Sequence, residues 1–189
     1  MSCYINIGVV FCDELLPIAP DNIYELSKRI LNECDEITIK YSEDDHGFRW
    51  EERTYRQNEI MVAVNTLEVN KLAIGKLKYR IQQKEYNILI SIRKKDNKLW
   101  GLLLEIPEEE LFVGDYSKDK FNYITNKIII NMKNMLTNVK FGYAFCDCDA
   151  EIEYSLSEVL SKNNYYSILL LNNLTVRLAP WNIDGITPR

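Results

Sequence analysis

Between residues 48 and 106 apolar side chains recur mostly at every second position. Leu77, Tyr79 and Ile81 alternate with Lys76, Lys78 and Arg80, while Ile88, Ile90 and Ile92 fall between Asn87, Ser91 and Arg93. Successive side chains of a strand point to opposite faces, so this pattern predicts adjacent antiparallel strands with a turn at Gln82–Glu85. The polar turn Lys94-Lys95-Asp96-Asn97-Lys98 leads into a further strand over Leu99–Ile106, which Pro107 ends. The chain opens with another strand, Tyr4–Phe11, rich in β-branched and aromatic residues, and Ile37 and Ile39 alternate with polar neighbours ahead of the acidic loop Glu43-Asp44-Asp45-His46-Gly47.

Elsewhere the period lengthens to three and four. Asp21 is placed to cap a helix running to about Glu33, with Ile23, Leu26, Ile30 and Leu31 as its apolar stripe. Ser117 caps the best-patterned helix, in which Phe121, Ile124, Ile128, Met132 and Met135 share a face. A strand over Lys140–Cys146 follows, then a helix over Asp149–Lys162 through Ile152, Leu156, Val159 and Leu160, and a hairpin about Asn172-Asn173. The segment Glu59–Ile74 fits both periods and is read here as strand. Helices and strands do not alternate strictly. The expected fold is therefore α+β, a mostly antiparallel sheet with about three helices packed on it, in a single domain 1–189 with residues 180–189 as a C-terminal tail.

Composition narrows the setting. No stretch reaches the roughly 20 apolar residues that span a bilayer, and the first residues lack the basic and apolar regions of a signal peptide. Five cysteines, Cys3, Cys12, Cys34, Cys146 and Cys148, form no disulfide-like array and are read as reduced thiols of a cytoplasmic protein. Charge is uneven: residues 1–60 carry thirteen acids and six bases, residues 76–98 two acids and eight bases, and residues 105–160 eleven acids and five bases. Such segregation orients an encounter with a charged partner, and it also arises on a merely solvated face.

Catalytic machinery is not legible. The single histidine, His46, lies in an acidic turn, where neighbouring carboxylates favour the imidazolium and oppose a general-base role. No nucleophile elbow, phosphate-binding glycine loop or dinucleotide fingerprint occurs, and no catalytic residue, metal ligand set or cofactor is assigned. The acid-rich run Asp147, Asp149, Glu151 and Glu153, interleaved with Cys146 and Cys148, has three readings. Asp147 or Asp149 can cap the next helix; the run can be an exposed acidic binding surface; or Asp147, Asp149 and Glu151 can hold a hard cation for hydrolysis or phosphoryl transfer. The basic stripe Lys76, Lys78 and Arg80 reads as the polar face of a sheet, because a pI near 5.1 does not suit a nucleic-acid-binding domain. Trp50, beside Phe48, and Trp181 fall outside the core periodicities and are candidate partner anchors, whereas Trp100 reads as core.

The early strand and helix, the meander closing in Leu99-Trp100-Gly101-Leu102-Leu103-Leu104-Glu105-Ile106-Pro107, the amphipathic helix, and Phe141-Gly142-Tyr143-Ala144-Phe145 running into Asp149-Ala150-Glu151-Ile152-Glu153 together resemble bacterial polymorphic-toxin immunity proteins over about residues 1–160. The resemblance implies a small cytoplasmic inhibitor that binds a cognate toxin domain without doing chemistry, with a protein partner and neither nucleic acid nor membrane. Candidate contact residues are Glu43, Asp44, Asp45, Trp50, Asp147, Asp149, Glu151, Glu153 and Trp181, the acids mimicking a nucleic-acid backbone. The alternatives are a metal-dependent hydrolase built on Asp147, Asp149 and Glu151, and a structural adaptor.

Overall fold

Alternation becomes architecture in the strand Ala73–Ile81 (β4), where Ala73, Leu77, Tyr79 and Ile81 are buried and Ile74, Lys76, Lys78 and Arg80 are exposed. The other strands are β1 (Tyr4–Val10), β2 (Glu36–Ser42), β3 (Trp50–Arg56), β5 (Lys84–Lys95), β6 (Leu99–Pro107), β7 (Tyr143–Cys148), β8 (Ile168–Leu171) and β9 (Val176–Leu178). They form one sheet in the order β3-β2-β4-β5-β6-β1-β7-β8-β9, with every pairing antiparallel. The computed structural model describes residues 3–11, 21–42, 44, 46–70, 72–95, 99–161 and 166–183. Among these, no helix is long and apolar enough to cross a membrane.

The helices are α1 (Asp21–Asn32), α2 (Ile60–Val69), α3 (Glu108–Phe112), α4 (Lys118–Leu136) and α5 (Leu156–Ser161). Leu26 and Ile30 of α1, Val64 and Leu67 of α2, and Ile128 and Met132 of α4 pack with Ile39, Leu77, Ile90 and Leu104 of the sheet into the main core. Each such side chain, removed from water, contributes about 1.5–3 kcal/mol. Ser117 caps α4 as expected, its hydroxyl accepting the Lys120 N–H at 3.2 Å. The first strand lies in the middle of the sheet, between β6 and β7, and alternate residues enter different cores: Ile5, Ile7 and Val9 the main one, Val10 a second.

That second core covers only one end of the opposite face. Val10, Leu103, Tyr143, Phe145, Tyr166 and Leu169 lie beneath Ile152 and Val159, and the Phe145 and Tyr166 rings stack at 4.1 Å. The covering chain descends closely onto the sheet at Gly101, where a Cβ would lie 2.2 Å from Ile152 Cδ1, so no larger residue fits there.

Several expectations are corrected. Residues 60–69 are helix: Ile60, Ala63, Val64 and Leu67 form a buried i, i+3, i+4, i+7 stripe, and this tertiary burial decides between the two periods. The α+β fold with a mostly antiparallel sheet is as expected, and α2 and α3 join the three helices read from the pattern. Helix begins only at Leu156, not Asp149, because Ser155 and Glu158 form a reciprocal cap: the Ser155 N–H donates to Glu158 at 2.8 Å and the Glu158 N–H donates to the Ser155 hydroxyl at 3.3 Å. Cys3 and Cys148 are bonded as a disulfide rather than free, their Cα atoms 6.7 Å apart at the adjacent ends of β1 and β7. Cys34 and Cys146 are free and buried. Residues 180–183 are not wholly a tail, because Trp181 and Ile183 belong to the main core.

Candidate functional site

Because the second core stops near β6, the same face of β3, β2, β4 and β5 has no helix over it among the described residues. It forms an open concavity of about 1070 Å³ whose floor follows from the alternation: Glu36, Thr38 and Lys40 from β2, Trp50 and Glu52 from β3, Ile74, Lys76, Lys78 and Arg80 from β4, and Glu85, Asn87 and Leu89 from β5. The register sets cations against anions. Lys40 opposes Glu52 across β2–β3, and Arg80 pairs with Glu85 across β4–β5 at 2.8 Å. The Arg80 guanidinium holds the Glu85 carboxyl below its ordinary range. A solvent-exposed pair of this kind adds little to stability, so these side chains cost little to re-pair with a partner.

At one corner the concavity meets an apolar rim. Trp50 is 45% exposed and Phe48 84% exposed, with Leu72 and Ile74 beside them. Gly47, at φ +72°, turns the β2–β3 loop tightly enough that a Cβ there would touch Leu72 Cδ1 at 3.3 Å and the Trp50 ring at 3.5 Å. Asp44 fixes this loop from within, accepting the N–H groups of Phe48 at 3.0 Å, Arg49 at 2.8 Å and His46 at 2.9 Å, and these bonds, with Phe48 foremost, lower its pKa. Glu43 and Asp45 lie outside the described residues, as do Lys98 and the side chains of Lys94, Lys95 and Trp100.

The other expected contact residues are scattered. Asp147 is 2% exposed: its carboxylate accepts the Ser167 hydroxyl at 2.7 Å, the Ser167 N–H at 3.2 Å and the Cys148 N–H at 2.8 Å. Asp149 is exposed, but accepts the Tyr4 N–H at 2.9 Å and so ties β7 to β1. Glu151 pairs with Arg93 at 3.6 Å, and Glu153 is exposed beside Tyr154. Trp181 is 7% exposed; it packs against Phe112 and Phe121 and donates its indole N–H to Thr125 at 2.8 Å. It is a core residue, and nothing in its irregular local sequence showed this.

Two sequence ideas thereby lose their geometry. Asp147, Asp149 and Glu151 turn to different partners and do not converge; among the described residues the group with metal-ligand spacing is Cys3, Cys148 and Asp149, in which both thiols are consumed by the disulfide. The acids do not form one surface either. The Asp44 loop leaves β2 and the Asp147–Glu153 run leaves β7, five strand steps or about 24 Å apart. What the fold does assemble is the basic stripe of β4 with the candidate anchor Trp50 on one uncovered face.

Among the described residues, the uncovered half of the sheet is a mixed-charge surface with one apolar corner, and comparison with known families is direct. Residues 21–189 match the family described as Immunity protein 64. The chain belongs to this family. The match spans the five helices and every strand of the described residues except β1, which lies inside the sheet between β6 and β7. No curated protein matches this family member. Among solved structures it is similar to a Pseudomonas aeruginosa T6SS protein at 10% identity and a TM-score of 0.31, with 77% of this chain and 40% of that chain covered. The chain thus spans about two fifths of the length of that protein, and at this score nothing is transferred from it.

Proposed function

We propose that this chain is a non-enzymatic inhibitor that neutralises a cognate toxin domain by docking the open half-face of its sheet onto that domain. The observation that carries the reading is the asymmetric cover of the sheet in a member of an immunity family: helices coat most of one face, the second core coats half of the other, and the remaining half presents Trp50, Ile74, Lys40, Lys76 and Lys78 to solvent. Stable complexes bury about 800 Å² per partner and concentrate their energy in a few aromatic and charged anchors at the centre of the contact. Four neighbouring strands with an apolar corner and a mixed-charge floor supply both area and register. The floor, with cations and anions interleaved, suits a toxin surface carrying its own mixed charges better than a uniformly basic one.

A cytoplasmic encounter is part of this proposal; the Cys3–Cys148 disulfide removes the reduced-thiol argument for it at those two positions, and the state of that pair tests the setting. The test of function is co-expression with candidate toxin domains, beginning with any variable C-terminal domain that a neighbouring gene encodes. Wild-type chain should restore growth, while Trp50→Ala combined with Lys76→Glu should fail to do so at equal protein level. Full protection by that double variant would remove the open half-face from the account.

A further inference from the structure

Where β7 ends, the chain turns at Cys148-Asp149 beside the residues that open β1. Three ligand-type atoms meet there from opposite ends of the sequence. The Sγ atoms of Cys3 and Cys148 and a carboxylate oxygen of Asp149 all lie within 4.8 Å of one another. The backbone fixes their places. The Cys3 carbonyl accepts the Glu108 N–H at 3.0 Å and the Tyr4 carbonyl accepts the Asp149 N–H at 2.8 Å, so the start of β1 is tied on both sides. Asp149 has φ +47°, a left-handed conformation that Asp adopts more readily than most residues, and its carboxylate returns to accept the Tyr4 N–H at 2.9 Å. The two cysteines are partly buried and Asp149 is exposed, so the group is reached from solvent.

In the oxidised chain the sulfurs are bonded to each other. Reduction by an external dithiol breaks that bond: two electrons and two protons pass to the protein, which gains two thiols, and the dithiol closes to its own disulfide. The freed thiols stay side by side, because neighbouring strands hold their Cα atoms 6.7 Å apart. Two thiols and a carboxylate are a donor set that selects a thiophilic divalent cation over magnesium or calcium, with water as the fourth ligand of a tetrahedron. Zinc–sulfur bonds of about 2.3 Å place the sulfurs about 3.8 Å apart, a spacing that rotation of the two cysteine side chains supplies without moving the strands. The Tyr4 N–H on Asp149 is the kind of outer hydrogen bond that orients a ligating carboxylate. We propose that reduced Cys3 and Cys148, with Asp149, bind one divalent cation of the zinc type. Binding releases the two thiol protons to water and leaves the cation on two thiolates and the carboxylate. The ends of β1 and β7 are then joined in either redox state, by a sulfur–sulfur bond or by a metal. None of the three residues lines the open half-face, so the site stands or falls apart from the docking proposal.

Cobalt(II) is the probe, since thiolate ligation gives it a near-ultraviolet charge-transfer band that oxygen ligands do not. The full chain is reduced with a phosphine, which becomes the phosphine oxide and leaves no competing thiol, then titrated with cobalt(II) and afterwards with zinc. Reduced wild type should develop the band to saturation at one equivalent, and zinc should abolish it. Zinc at about 100 times its dissociation constant should raise the melting temperature of the reduced chain by about 5 °C or more. Oxidised wild type should show neither effect. Cys3→Ser should bind cobalt about 100-fold more weakly with at least half the band lost, and Asp149→Asn about 10-fold more weakly with the band kept. Cys146→Ser, which changes a buried thiol outside the group, should titrate like wild type. Absence of the band from reduced, folded wild type overturns the proposal without recourse to any variant. A band of equal strength in oxidised wild type, or one lost in Cys146→Ser and kept in Cys3→Ser, overturns it by placing the metal elsewhere.

Discussion

Lys40 holds its ammonium 5.2 Å from the centroid of the Trp50 ring, joining neighbouring strands at the corner of the uncovered sheet. The contact keeps a large aromatic side chain in place on the surface without burying it. An exposed cation–π pair of this kind contributes about 0.5–1 kcal/mol. Its position beside Ile74 and Leu72 at the edge of the sheet makes Trp50 the aromatic anchor of the contact proposed for this face.

Trp50→Ala is therefore expected to leave stability within about 0.5–1 kcal/mol of wild type while weakening toxin binding by about 2 kcal/mol or more. Denaturant unfolding and calorimetric titration of the same preparations separate the two effects. A variant that unfolds much earlier would show that Trp50 serves the fold.

Asp147 and Trp181 should behave in the opposite way. Asp147→Ala leaves the buried Ser167 hydroxyl and N–H without their acceptor and should cost about 1–3 kcal/mol. Trp181→Ala empties a site lined by Phe112 and Phe121 and should cost about 3–5 kcal/mol. Toxin affinity of the folded fraction should be unchanged in both, which titration at low temperature checks.

The disulfide makes stability depend on compartment. Cys3 and Cys148 are 145 residues apart in sequence, so joining them restricts most of the unfolded chain. Cys3→Ser should lower stability by about 2–4 kcal/mol in oxidised protein and have little effect in the presence of reductant. Alkylation followed by mass spectrometry, on protein from a reducing and from an oxidising compartment, shows which state is present. Cys34 and Cys146 should label only after unfolding, since burial raises the Cys34 pKa to about 12 and pushes that of Cys146 well above the ordinary thiol value.

Glu105 gives a pH signature with a definite sign. Its pKa is raised by burial, so the folded state binds a proton more tightly than the unfolded chain does. The ionised group opposes folding at neutral pH, and that opposition is relieved as pH falls through the raised pKa toward the ordinary value of 4.5. The stability advantage of Glu105→Gln over wild type should be widest at neutral pH and should shrink on acidification. A constant gap across that range would contradict the assignment.

Period-two and period-four patterns were sufficient for the meander β4–β5–β6, for α1 and for α4, because in each the buried face is set by spacing alone. Where burial depends on distant chain, local pattern misled. Residues 60–69 are rich enough in Val, Ile and Met to suit either element, and packing against α1 and against β2, β3 and β4 makes them helix. Trp181 becomes core through α3 and α4, whose approach nothing in Pro180-Trp181-Asn182-Ile183 foretells. Asp147 looked like an exposed acid because its partner, Ser167, is 20 residues away on the approach to another strand. Trp50 and the basic stripe were each legible as residues, but their meeting on one uncovered surface depends on sheet order, in which β2 separates β3 from β4.

Oxidative footprinting of the chain alone and in complex with the toxin domain tests the central claim most directly, because it reads side-chain exposure on both faces at once. The account predicts that labelling of Trp50, Ile74 and Leu89 falls on binding while labelling of Tyr123 and Ile130, exposed on α4 across the sheet, stays the same. Protection of Tyr123 and Ile130 with Trp50 labelled as in the free chain would contradict it.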